Sequence, residues 1–268
     1  MNKTICTLLS VLALVFVFAA QGHAHTLWLN LNDHNPGFDS RFGARVHSYI
    51  GWGHRIPVDG FLEFSALKNY SLYIPDGQRN ELEPDHSAGL LPTSIKLRQP
   101  GAYFLSAAKE PTFYTMYEKN GEIHHSTEPK SGLDNVILSL YSKQYAKSLI
   151  IAGDENKGLK TPVGHDLEII PLRDPAELKK GEKMQIKVLY KGKPARFTKV
   201  MATYYGFSVQ GDYAFATTTD RSGKAEIRVV HQGHWMIKAV KKTLPSSEYA
   251  DLCNRMKYSA TLTLGIGG

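Results

Sequence analysis

Cysteine is nearly missing from this chain, at 2 of 268 residues. Cys6 lies within the first apolar run, which leaves Cys253 without an intramolecular partner. The sequence therefore excludes a fold held together by disulfides, and no Cys-x-x-Cys pair indicates a redox or zinc site. A chain of this length buries enough apolar surface to fold without crosslinks, as one large β domain or as two smaller ones.

Motifs of common catalytic sites are missing as well. The chain has no glycine-rich phosphate loop, no His-Glu-x-x-His pair and no Gly-x-Ser-x-Gly nucleophile turn. A hydrolase or nucleotide enzyme has little support, and we expect that the protein is not an enzyme. The formal net charge of +7 is spread along the chain rather than gathered in a basic stripe, so we expect no nucleic-acid partner.

Only one long apolar run is present, over residues 5–20, and it lies between Lys3 and a group of small residues. This order is typical of a secretory signal peptide, here residues 1–24. The run of about 16 residues is shorter than the roughly 20 that span a bilayer. We therefore expect a periplasmic, secreted protein with no stable membrane anchor after the signal peptide is removed.

The cleavage position decides which histidine begins the mature chain. A cut after Ala24, which places the favoured alanine before the cut, exposes the α-amine of His25 beside its imidazole, and both nitrogens can chelate one metal ion near neutral pH. A cut after Gly22 instead leaves His23-Ala24-His25 at the terminus. Its amine, two backbone amides and third-position imidazole can enclose Cu(II) or Ni(II) in a square plane. Both positions give a metal-binding terminus.

Short segments of alternating polarity, bounded by Gly, Pro and Asn, run through the rest of the chain. They predict an all-β protein with two β-sandwich units, the second immunoglobulin-like, and one short helix in the first. The predicted divisions are a signal peptide at 1–24, an N-terminal β domain at 25–153, a linker at 154–162 and a C-terminal β-sandwich at 163–268.

Three local features of the first unit are specific enough to be checked. Segments 103–109 and 113–118 are predicted to form a hairpin, and Asn120-Gly121 is a strong turn signal after them. Apolar residues recur at helical spacing between Leu133 and Tyr145, which predicts the short helix.

Histidine is the residue type that offers a site. His54 is predicted to lie on a glycine-flanked loop just past a strand, where scaffolds present functional groups. His231 and His234 fall in a predicted hairpin turn, and imidazole pairs bind nickel, cobalt, copper or zinc. We predict His25, His54, His234 and His231 as metal ligands. The adjacent His124 and His125 are interpreted as ordinary loop histidines.

Several short motifs occur here in a characteristic order: His25-Thr26-Leu27-Trp28-Leu29, Gly53-His54-Arg55-Ile56-Pro57, Gly192-Lys193-Pro194, Thr219-Asp220-Arg221-Ser222-Gly223 and Gly233-His234-Trp235. In this order the chain resembles the family catalogued as domain of unknown function 4198, which is described as the periplasmic component of cobalt and nickel uptake systems. The resemblance implies a mostly β periplasmic protein linked to metal uptake, with His25 and His54 as ligand positions.

The sequence thus predicts a protein that binds Ni(II) or Co(II), with Cu(II) as a third candidate, and passes the ion to a membrane metal transporter component. Two alternatives stay open at this point. One is a non-catalytic binding or adhesion module without metal. The other is an oxidative copper enzyme, because an N-terminal histidine with a second histidine is the ligand set of polysaccharide monooxygenases.

Overall fold

The structure is a computed structural model and describes residues 25–267. The predicted signal peptide and both predicted cleavage positions lie outside the described residues, of which His25 is the first. No helix within this range is long and apolar enough to cross a membrane.

Strands dominate the described residues, and the only helices there are two short 3-10 turns, Phe64–Ala66 and Ser247–Tyr249. The prediction of an all-β protein is therefore confirmed. The strands in chain order are β1 (Thr26–Leu31), β2 (Ala44–Gly53), β3 (Leu67–Tyr73), β4 (Arg79–Glu81), β5 (Thr93–Leu97), β6 (Gly101–Lys119), β7 (Glu122–Ser126), β8 (Val136–Ala152), β9 (Leu167–Pro171), β10 (Lys183–Tyr190), β11 (Lys193–Pro194), β12 (Lys199–Tyr204), β13 (Phe215–Thr218), β14 (Lys224–Arg228), β15 (Gly233–Thr243) and β16 (Arg255–Ile266).

The strands form three sheets. The largest has nine strands in the order β13-β12-β15-β16-β8-β6-β3-β4, and β7 pairs with the far end of β6. A three-stranded sheet has the order β1-β2-β5, and a four-stranded sheet is built on β10, which pairs with β9, β11 and β14. All pairs are antiparallel except the parallel pair of β8 and β16.

The long strands β6 and β8 separate two hydrophobic cores. Side chains alternate between the faces of a strand, so Phe104 of β6 enters the core shared with the four-stranded sheet, while Tyr103 and Leu105 enter the core shared with the three-stranded sheet. On β8, Leu149 and Ile150 divide in the same way. Around residues 101–108 and 146–152, the nine-stranded sheet is thus covered on both faces by the smaller sheets.

The short helix predicted between Leu133 and Tyr145 is wrong, because this segment runs into strand β8. Apolar residues at Val136, Ile137 and Leu140 fit either period over so short a window. Pairing decides between them. β8 hydrogen-bonds to β6 along most of its length and to β16 from Leu140 to Ser148.

The hairpin predicted from segments 103–109 and 113–118 is also wrong, because both belong to the single strand β6. Pro111 lies where the pairing with β8 shifts register, between Lys109 and Thr112. A proline cannot donate a ladder hydrogen bond, so it marks an irregularity in the strand and not a reversal. The Asn120-Gly121 turn prediction is confirmed, with φ values of 58° and 82° between β6 and β7.

The predicted division into two units is crossed by the nine-stranded sheet, since β8 and β16 come from opposite sides of the predicted linker. The linker itself is packed: Leu159 is buried in the core that contains Phe104. Within residues 163–267 the four-stranded sheet faces β12, β13, β15 and β16 across that core, which is a sandwich of the predicted kind.

A buried ion pair joins the central sheet to the start of β9. Lys147 and Glu168 are 1% and 2% exposed, and Nζ donates to the carboxylate at 2.7 Å. The backbone N–H groups of Val163 and Gly164 also donate to this carboxylate. Each charge depends on the other because neither can reach water.

Replacing one partner of this pair is expected to be much more damaging than replacing both. Lys147→Met leaves the Glu168 carboxylate buried and should lower the free energy of unfolding by about 3–5 kcal/mol, whereas Lys147→Met/Glu168→Gln removes both charges and should recover most of that loss. Urea unfolding at neutral pH measures both. Lys183→Met breaks the exposed pair with Glu226 and serves as the control with little change. A double variant as unstable as the single one would contradict this account.

His165 should make the fold sensitive to mild acid. Its Nε2 bonds to the Ser106 hydroxyl at 2.9 Å, and burial lowers the pKa of His165 from 6.5 to about 4. The unfolded chain takes up this proton below about pH 6.5 and the folded chain does not, so stability falls by roughly 2–3 kcal/mol as pH drops from 6.5 to 4. In His165→Gln this part of the pH dependence should disappear. Urea unfolding at several pH values measures the free energy of unfolding, and the same dependence on pH in both proteins would show the assignment to be wrong.

Candidate metal centre

Two of the predicted ligands are brought together by the pairing of β1 and β2. Thr26 is opposite Gly53 in this antiparallel pair, so His25, just before β1, and His54, just after β2, extend the ladder from its end. Their ring centroids are 4.6 Å apart with planes inclined by 66°. The prediction that His54 lies on a loop past a strand end is confirmed.

Trp52 forms one wall of this pair. Its ring lies edge-on to the His25 ring, with centroids 5.4 Å apart. The Nζ atom of Lys109, on β6, lies 5.5 Å from the centroid of the Trp52 ring. The two imidazoles thus lie beside an aromatic surface, and both histidines are exposed to solvent.

The segment after β2 is fixed by the carboxylate of Asp59. Its Oδ2 accepts the backbone N–H of His54 at 2.7 Å, and its Oδ1 accepts the Arg55 Nε–H at 2.7 Å. These donors, the His54 N–H above all, hold the pKa of Asp59 below its usual value. The carboxylate is therefore ionised at neutral pH and orients the turn that carries His54.

Side chains on the outer face of β1 hydrogen-bond to the segment after β2. Trp28 Nε1 and Asn30 Nδ2 both donate to the carbonyl of Pro57, each at 3.1 Å. The Trp28 indole lies flat over Gly51, where a Cβ would come within 2.1 Å of it. Glycine is thus required at position 51 for Trp28 to reach Pro57.

The charges around the pair are mainly positive. Lys238 donates to the hydroxyl of Thr26, next to His25. Burial lowers the pKa of Lys238 to about 8, and Lys257 and Lys199 contribute further to this lowering. Over residues 25–267, no three His, Cys, Asp or Glu side chains lie close enough to hold a metal ion. The side chains there supply two imidazoles, so further ligands must come from backbone groups, the α-amine of a processed chain or water.

The other two predicted ligands lie elsewhere. His234 is the second residue of β15 and pairs with Gly265 of β16, and its ring is 5.0 Å from that of His34. His34 follows the end of β1 opposite to His25, and the six residues of β1 extend over about 20 Å. His231 stacks on Tyr204 with centroids 4.7 Å apart. The predicted ligands therefore do not form one site.

Sequence reasoning missed His34 and the supports of the His54 loop. Nothing around His34 in the sequence distinguishes it from other turn histidines, because its neighbour His234 is 200 positions away along the chain. Trp28 belongs to a motif of the sequence, but its hydrogen bond to Pro57 forms only because the segment after β2 folds back over β1.

A family model matches residues 22–243, with the description "Domain of unknown function (DUF4198)". The chain belongs to this family. No curated protein matches the chain. Among solved structures, the chain is similar to the D00-D0 domain of Intimin at 10% sequence identity and a TM-score of 0.22, over 90% of this chain and 100% of that one. A similarity with so low a TM-score supports no conclusion about this chain. The family membership agrees with the resemblance in the motif order of this sequence.

Trp28→Phe tests the support beneath the His54 segment. The variant keeps an aromatic ring over Gly51 but loses the hydrogen bond to Pro57, so we expect a loss of about 1 kcal/mol in the free energy of unfolding. Amide hydrogen exchange across residues 54–60 should also become faster.

Trp235→Phe is the matched control, since it loses a similar bond, from Nε1 to the His231 carbonyl at 2.9 Å. Its faster exchange should be confined to residues near 231–234. Unchanged exchange across 54–60 in Trp28→Phe would mean that the indole does not hold this segment.

Proposed function

We propose that this protein binds a late first-row transition-metal ion outside the cytoplasm, through the α-amine and imidazole of a processed His25 and the imidazole of His54. The observation that supports this most directly is the 4.6 Å separation of the two rings at the end of the β1–β2 pair. No catalytic step is assigned to this site.

The donor set favours particular ions. Three neutral nitrogen donors, one amine and two imidazoles, suit the tetragonal geometry of Cu(II) and Ni(II), and imidazole ligands also bind Co(II). The carboxylate on this turn, that of Asp59, already accepts hydrogen bonds from the His54 N–H and from Arg55, and a single carboxylate gives Mg²⁺ or Ca²⁺ too few oxygen ligands. Ni(II), Co(II) and Cu(II) are therefore the cargo ions of the proposal.

The positive surroundings suit a site that must release its ion. The ammonium groups of Lys238 and Lys109 lie near Thr26 and Trp52, which flank the pair. Nearby like charges weaken the binding of a cation. We propose that the protein passes the ion to a membrane metal transporter component, as the resemblance to a periplasmic component of cobalt and nickel uptake systems implies.

The cleavage position determines the role of His54. If the chain is cut after Ala24, His25 supplies two nitrogens and needs His54 as the third ligand. If the chain is cut after Gly22, the His23-Ala24-His25 terminus binds the ion by itself and His54 is dispensable. The His25–His54 contact supports the first arrangement.

Calorimetry with Cu(II), Ni(II) and Co(II) on protein beginning at His25 tests the proposal. His25→Ala and His54→Ala should each weaken binding of the preferred ion at least tenfold, because each removes a nitrogen ligand. His231→Ala, at an exposed histidine outside the pair, is the control and should bind like the unaltered protein.

A second protein that begins at Ala24 keeps both imidazoles but moves the amine away from His25. It should also bind at least tenfold more weakly. Equal affinity in the His25 and Ala24 forms, or in the unaltered protein and His54→Ala, would overturn the proposal. Retention of affinity only in a protein beginning at His23 would favour the self-contained terminus.

A further inference from the structure

A second pair of histidines lies at the opposite end of β1. His34 is on the loop after β1 and is 3% exposed, and His234 is at the start of β15. Their ring centroids are 5.0 Å apart and their planes are inclined by 60°. The two are brought together because β1 lies along β16, where Thr261 and Thr263 donate to the carbonyls of Leu27 and Leu29.

His34 is held rigidly on β8. Its backbone carbonyl accepts the N–H of Ile151 at 2.8 Å, and its Nδ1 lies 2.7 Å from the carbonyl oxygen of Leu149. A carbonyl only accepts hydrogen bonds, so Nδ1 must carry the proton and donate it. In the neutral ring the proton on Nδ1 leaves Nε2 with the lone pair.

That lone pair is buried without a partner. Among the residues that the structure describes, His34 Nε2 and His234 Nδ1 are both inaccessible to solvent and form no hydrogen bond. A buried polar atom without a partner destabilises the folded state. Two such atoms on neighbouring rings indicate that a third group belongs between them.

The geometry of the pair fits coordination. An ion bound about 2.0–2.1 Å from each nitrogen, with a tetrahedral or square-planar angle, places two imidazole centroids roughly 5 Å apart. The donation of Nδ1–H to a backbone carbonyl, as in His34, is the arrangement that orients metal-bound histidines in proteins. His234 is oriented by stacking on Tyr205, with centroids 5.2 Å apart and planes inclined by 21°.

We propose that His34 and His234 form a two-imidazole site for a late first-row transition cation, separate from the His25–His54 pair. The ion would bind His34 Nε2 and His234 Nδ1. Gly265 leaves room for the pair, because a Cβ there would lie 3.0 Å from the Cβ of His34. His234 is only half-buried and follows the exposed His231 and Gln232, which gives the ion a route from solvent.

The charge of the surroundings favours a monovalent ion. Over the described residues, no acidic side chain joins the two imidazoles in a metal-binding group. Burying a double charge without a counter-ion costs more than burying a single one. Cu(I), bound at a tetrahedral angle with backbone groups or water in its other positions, is therefore the first probe, and Zn(II), which is divalent and also binds imidazole, is the second.

The test uses protein that begins at position 25 and carries His25→Ala and His54→Ala, so that the first pair of histidines cannot bind the ion. Competition with a Cu(I) chelator under anaerobic, reducing conditions should show one bound Cu(I). Adding His34→Asn or His234→Phe should weaken binding at least 100-fold, while adding His231→Ala should leave it unchanged. Bound ion should also raise the melting temperature.

His234→Phe keeps a ring against Tyr205, and His34→Asn keeps an N–H donor for Leu149, so at least one variant is expected to stay folded, as circular dichroism would show. Zn(II) binding with the same dependence on both histidines would also support the site. Binding of neither ion, or binding that survives both substitutions, would overturn it and favour a water molecule between the rings. Failure of the first pair in its own test would leave this result unaffected.

Discussion

The structure depends on two long adjacent strands whose opposite faces are both apolar. Over residues 101–108 of β6 and 146–152 of β8, residues alternate between two cores, so neither face of this part of the central sheet can be exposed to water. A strand buried on both faces requires a covering layer on each side. The three-stranded and four-stranded sheets are those layers. The paired charges of Lys147 and Glu168 lie between one of them and the centre.

Both histidine pairs are products of this layering. β1 lies in a covering sheet and runs along β16, so its two ends are placed against different parts of the molecule. At one end the β1–β2 ladder sets His25 beside His54. At the other end the loop after β1 crosses β8 and sets His34 beside His234. One pair is exposed beside lysines and the other has one nitrogen of each ring buried, so the two differ in the ions and in the rates of exchange that they would allow.

The sequence predicts the class of fold and part of the first pair, because these depend on local signals. Alternation, turn residues and the Asn120-Gly121 dipeptide are local, and so is the placement of His54 after a glycine. The failures at 103–118 and 133–145 have a common cause. A strand much longer than average, such as β6 or β8, contains short windows that look like a reversal or a helix, and only its pairing with distant strands shows that it continues. The His34–His234 pair depends on the contact of β1 with β16, which no local pattern encodes.

The complete burial of β1 also bears on the order of events during maturation. All six residues of β1 are buried and are paired with β2 or docked on β16, and Thr26 is the neighbour of His25. In the proposed processing, a protease that cuts before His25 must hold an extended stretch of chain on both sides of the bond. After the bond that stretch is β1, which in the folded protein is part of the covering sheet. Under this proposal the leader must be removed before β1 docks, and a chain that folds first would keep its amine blocked.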